Sequence, residues 1–275
     1  MQDDGGDVRY YGASPNNYVY FNCSNYSSQT SSTCELWRII GVFNGKVKIM
    51  KNSSIGALAW SQDKNIDSSK TTFYNDWSTS SLKVLLNGSY YKGTGTVTYY
   101  SMSGGNSETI LNMASIGLKN NATRNMILES TWSLLSWTSS KLYLNILYEK
   151  ENGEGKVYTG RPTSWTGKIA LPYASDYGYA ADLSLCKQTL YNYDDSTCTA
   201  NNWMYNILGT ENGGWLLTPS SEAPLEAWYV YKKGSVGSFA AYSEYEATPT
   251  IYLDTKTNMS SGSGTSSNPY KLVAS

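Results

Sequence analysis

Polar and apolar residues alternate most regularly over residues 36–50, where two runs flank Asn44-Gly45. Alternation turns successive side chains to opposite faces of a strand, and Asn-Gly tolerates the positive φ of a type I′ turn, so this stretch predicts a β-hairpin. With Phe43 opposite Lys46, the side chains of Ile40, Val42, Val47 and Ile49 share one face, which is expected to be buried. The same period returns late in the chain, where residues 227–232 and 235–239 flank a Lys233-Gly234 turn. Pairing Lys232 with Ser235 puts Trp228, Val230 and Phe239 on a core face and the tyrosines, Tyr229 and Tyr231, on a surface face. Strands around Trp215-Leu-Leu-Thr-Pro and Thr248-Pro-Thr-Ile-Tyr-Leu-Asp254 complete a β-rich final third.

Helical spacing is briefer. Within residues 76–91, Leu82, Leu85 and Leu86 recur on one side, with Ser80 or Thr79 as N-cap and Gly88 after the end. Ile110, Met113, Ala114 and Leu118 predict a second helix over 108–119, and a third is expected within 121–130. Residues 168–173 read as a buried strand, 175–181 as a short helix and 268–272 as an edge strand. The charged, glycine-containing stretch 149–156 is the candidate internal boundary. The fold class is α+β, β-rich with short helices, and residues 1–275 are read as a single extracellular domain.

Composition narrows the class. The chain has 25 Tyr and 9 Trp but only 4 Phe, and 16% of its residues are charged, which is the balance of a secreted β-rich protein. A formal net charge of −1 and the lack of a Lys/Arg cluster give no pull toward nucleic acid or anionic lipid. The cysteines fall as two close pairs, Cys23 with Cys34 and Cys186 with Cys198, flanked by Asn, Ser, Thr and Tyr; local disulfides in an oxidising compartment are the simplest reading.

Several phrases point to a family. Ser14-Pro-Asn-Asn-Tyr-Val, Glu35-Leu-Trp-Arg-Ile-Ile-Gly-Val, Asn44-Gly-Lys-Val-Lys-Ile-Met, Trp165-Thr-Gly-Lys-Ile-Ala-Leu, Ser175-Asp-Tyr-Gly-Tyr-Ala, Asn202-Trp-Met-Tyr and Gly262-Ser-Gly-Thr-Ser-Ser-Asn-Pro-Tyr occur in that order. Together they resemble a family of secreted bacterial prepilin-like proteins of unknown function. The Trp-rich strand, Ser-rich loop, Ala227-Trp-Tyr-Val-Tyr and closing Pro-x-x-Tyr-Leu strand resemble the end of a C-type-lectin-like domain of the formylglycine-generating-enzyme kind, here over 157–275. The resemblance implies an extracellular place on a cell surface or pilus, and an apolar export or anchor segment ahead of Met1. It also implies an arginine where this chain has Thr248 before Pro249, which leaves the closing strand without a charge-assisted anchor.

Catalytic motifs are sparse. The chain has no histidine, which removes Ser-His-Asp and Cys-His catalysis and His-bearing metal sites. Ser61-x-x-Lys64 and Ser80-x-x-Lys83 have the spacing of a Ser-Lys pair but no companion motif, and Ser80 is better explained as a helix cap. Glu222 with Glu226, or Asp176 with Asp182, are the carboxylate pairs weighed for glycosidase chemistry. Residues 63–69 space oxygen ligands like a calcium loop but lack its glycine and its closing glutamate, and the cysteines lack zinc spacing. No cofactor is expected.

Tyrosine, tryptophan, serine and asparagine suit adaptable recognition surfaces. In lectin-like folds the Ser-rich loop before the last hairpin and that hairpin's outer face carry ligand contacts. On this chain the resemblance places them at Ser220, Ser221, Glu222, Glu226, Tyr229, Tyr231, Tyr242 and Tyr245. The expected function is non-catalytic adhesion to a surface glycan or protein ligand, with pilus subunits as further partners; a carbohydrate-active hydrolase and a structural pilin-like subunit are the alternatives.

Overall fold

The structure is a computed structural model that describes residues 1–67, 69, 74–101, 107–139, 141–209 and 211–273. It is β-rich with a few short helices.

The predicted first hairpin forms where its turn signal lies. Asn44 and Gly45 have φ of 49° and 76°, and Phe43 pairs with Lys46. A bulge between Ile39 and Gly41 then adds one residue to the Glu35–Phe43 strand, and past it the parity of that strand changes. The expected single face is therefore divided. Ile39 and Ile49 enter one core, Ile40 turns to the opposite face with Phe43 and Met50, and Val42 is exposed.

The hairpin lies in a seven-stranded sheet. Glu35–Phe43 pairs with Val8–Arg9 and Tyr18–Phe21, and Lys46–Lys51 pairs with Thr250–Leu253, which also pairs with Ile127–Leu128 and Ile169–Ala170. A five-stranded sheet runs in the order Val236–Ala240, Glu226–Val230, Gly214–Pro219, Tyr245–Glu246, Ala57–Leu58. Two hydrophobic cores lie against these sheets, and each draws residues from both sides of the 149–156 stretch. Trp37, Trp215 and Trp228 are buried anchors, Trp228 on the core face that its strand pattern predicts.

The terminal hairpin differs from its prediction by one residue. Val230 pairs with Val236 and Ala227 with Phe239, so the turn is longer than two residues; Tyr231 N donates to Ser235 O and Gly234 N to Tyr231 O, with Gly234 at φ 103°. Slippage by one residue moves a side chain to the other face. Phe239 accordingly leaves Trp228 and Val230 and joins the tyrosines.

Two helix expectations also change. Ser107–Asn112 is a strand paired with Thr96–Ser101, and only Met113–Ile116 is helical; Ile110 is 73% exposed, so the helical recurrence of apolar residues there was not a buried stripe. Residues 121–130 begin as a helix at Asn121–Asn125 and continue as strands. Ser80 does cap Ser81–Leu85, accepting from Lys83 N, while Gly88 lies inside the π-turn that follows. Disulfides join Cys23 to Cys34 and Cys186 to Cys198, the bonds of an oxidising, extracellular environment. No described helix is long and apolar enough to cross a membrane.

Candidate functional site

Two places concentrate candidate functional side chains. The first is a surface on the five-stranded sheet. Trp215 and Tyr229 pair across neighbouring strands, and Tyr245 stands beside both, at centroid distances of 4.7 Å from Trp215 and 4.2 Å from Tyr229. Tyr231 adds a ring 4.5 Å from Tyr229, and Phe239 lies 6.1 Å from Tyr229 and 5.9 Å from Tyr245. Gly237 sits opposite Tyr229, and its missing side chain leaves space that the Tyr231 ring covers.

The cluster grades from dry to wet. Trp215 and Tyr229 are fully buried, Tyr245 is half-buried, and Tyr231 and Phe239 are 43% and 44% exposed. This corrects the expectation for Tyr229, which packs among four rings instead of facing solvent. Burial pushes its hydroxyl pKa up, assisted by hydrogen bonds with Tyr231 and Tyr245. Ser220 is also corrected: its side chain is buried, accepting from Glu222 N and Ala223 N to shape the loop. Ser221 donates to Trp137 O, and Glu226 accepts from Ser238 at 2.6 Å. Glu222 is exposed and Tyr242 half-buried.

The second place is a cleft of about 80 Å³ between the seven-stranded sheet and the Ala174–Tyr179 helix. Cross-strand pairing lines up Arg9, Gly41, Lys48 and Tyr252 in one row. Gly41 lies between the two cations, and a Cβ there would meet Val8 O at 2.3 Å, so only glycine lets the first strand dock. Asp176, third in its helix, accepts from Tyr173 N at 2.9 Å and from Arg9 Nη1 at 2.9 Å, and its Oδ2 contacts Lys48 Nζ. Asp3 holds the other side of Arg9 at 2.5 Å.

Glu151 completes the cleft. It accepts from Ser175 N and, at 3.5 Å, from Thr218 Oγ1. Burial pushes its pKa up to about 7, against the opposing pull of the Ser175 hydrogen bonds and of Lys48. Burial also pulls the Lys48 amine down. It acts to raise Asp176, but Lys48 and Arg9 outweigh it and hold that carboxyl low.

Of these cleft residues only Asp176 stood out in the sequence, and with the wrong companion. Asp182 instead binds its own loop through Ser184, and Glu151 is the carboxyl that shares the cleft. Arg9, Lys48 and Glu151 were missed because a charge at an alternating strand position, or in a Gly-containing charged stretch, reads as solvent-facing.

Ser61 is buried, and its backbone N donates to Ala241 O. In the 63–69 stretch Asp67 accepts from Ser69, while Ser68 lies outside the described residues. Comparisons with protein-family models, curated proteins and solved structures find no match to this chain.

Proposed function

We propose that this protein is a non-catalytic ligand-binding protein of the cell surface or pilus, and that it recognises a surface glycan through the rim formed by Tyr231, Phe239 and Tyr245. The observation that carries the reading is the exposure of Tyr231 and Phe239, each against the buried Tyr229 ring, above a packed aromatic floor. Large apolar rings are left in water singly on most surfaces; grouped and rigidly supported, they offer stacking area at little entropic cost. Glu226 and Ser238 bond to each other on the opposite face of the hairpin, where Trp228 lies, and lend the rim no polar group. The lectin-like and prepilin-like resemblance of the sequence agrees with this reading.

The hydrolase alternative has one observation behind it, the shared cleft of Glu151 and Asp176 with protonation preferences pushed apart. Asp176, however, already receives Arg9, Lys48 and a backbone N–H, which leaves it little capacity for a substrate.

The test is a glycan array, followed by calorimetry on the best binder, with wild type and the Tyr231→Ala/Phe239→Ala double variant. Loss of two anchor rings is expected to weaken binding by about tenfold or more, with the unfolding midpoint nearly unchanged. Equal binding by the variant would remove the rim from consideration.

A further inference from the structure

Lys48, Asp176 and Glu151 line one buried cleft. Lys48 lies in mid-strand with its side chain 1% exposed, and Asp176 is its only protein hydrogen-bond acceptor among the described residues. Rings of Tyr173, Phe43, Trp132 and Tyr252 surround the amine at 4.3, 5.4, 5.4 and 5.6 Å. An ammonium has three donors to satisfy and is costly to hold in such a place. The carboxyl it meets is fixed from two sides, by Arg9 Nη1 on Oδ1 and by Tyr173 N on Oδ2. Glu151, itself buried, accepts from the backbone N of Ser175, the residue before Asp176.

We propose that Lys48 and Asp176 become joined by an intramolecular amide bond, with Glu151 moving the protons. The ion pair first passes a proton from Nζ to the Asp176 carboxylate, giving a free amine and a neutral acid. The amine lone pair attacks Cγ, and Arg9 stabilises the negative charge that develops on Oδ1. Nζ gives up a second proton through Glu151, which returns it to the hydroxyl on Oδ2. The Cγ–Oδ2 bond breaks, water leaves, and a Cγ–Nζ amide remains. An ammonium and a carboxylate become an amide and a water, so charge balances and nothing is oxidised or reduced. Burial favours this direction because two desolvated charges disappear, and Arg9 stays balanced by Asp3. The bond would tie the middle of the seven-stranded sheet to the helix across a sequence separation of 128. It is independent of the recognition rim and stands or falls separately.

The experiment is an intact mass of the folded wild-type protein with a peptide map. The expected mass is that of the sequence with both disulfides, less one water. The expected tryptic product is a branched peptide joining residues 47–51 to 169–187, without cleavage after Lys48. Glu151→Gln and Lys48→Met are expected to show the full mass while keeping both disulfides. A full-mass wild type overturns the proposal, whatever the variants do. So does a water loss confined to one unbranched peptide, which would be an aspartyl succinimide.

Discussion

Glu151 keeps its proton to about pH 7 because the fold removes it from water. In the unfolded chain the same carboxyl ionises near its ordinary 4.5. Between these values the folded state binds more protons than the unfolded one, so stability falls as pH rises and levels off above the folded pKa. The drop is on the order of 3 kcal/mol. No histidine titrates in this window, since the chain has none. Urea unfolding across the window is expected to show the decline in wild type and a flat profile in Glu151→Gln, whatever that variant's absolute stability. A wild type that gains stability over the same range would contradict the burial argument. On the aromatic surface the same scale separates floor from rim. Tyr229→Ala removes a ring packed among four others and is expected to cost about 3–5 kcal/mol, whereas Tyr231→Ala, exposed at its edge, is expected to cost under about 1 kcal/mol. Comparable losses in thermal unfolding would mean that the rim is structural.

At the scale of elements, the first strand depends on a glycine in its neighbour. A Cβ at residue 41 would meet Val8 O at 2.3 Å and Arg9 Cα at 3.2 Å, both backbone atoms that cannot swing aside. Gly41→Ala is expected to release residues 1–9 from the sheet at a cost of about 1–3 kcal/mol, read as faster amide exchange at Arg9 and Tyr10 while the Asn44-Gly45 hairpin stays protected. Unchanged exchange at Arg9 would show that the strand docks without needing that space. What could be read from sequence follows from how local each cause is. The Asn44-Gly45 turn writes its own conformation, so its pairing was legible to the residue. The bulge at Ile40 was not, because nothing in an alternating run marks where one residue is left out of the pairing. The terminal hairpin was legible as an element but not in register, since Tyr231 and Ser235 close a longer turn than Lys233-Gly234 suggests. Phe239 therefore entered the site unannounced and Tyr229 left its surface. Lys48 was hidden for a different reason: it alternates with Val47 and Ile49 as an outward residue would, and its partner lies 128 residues on.

At the scale of the molecule, each disulfide closes a short loop, with sequence separations of 11 and 12. Each is expected to contribute about 3 kcal/mol by restricting the unfolded chain. Cys198 and Cys186 are buried in the core that holds Trp203 and Trp228, and the other pair ties down the segment before Glu35–Phe43. Reductant is expected to lower the unfolding midpoint by several degrees, and an unchanged midpoint would show that packing alone holds both loops. The Thr250–Leu253 strand has a consequence of another kind. It sits between Lys46–Lys51 and Ile169–Ala170, and Tyr245–Glu246 just before it joins Ala57–Leu58 to the other sheet. Neither sheet can close until residues 245–253 have been made and delivered. A nascent chain halted before residue 245 would leave Lys46–Lys51 and Ala57–Leu58 with unpaired edges, so both sheets wait on one late segment to join strands made long before it.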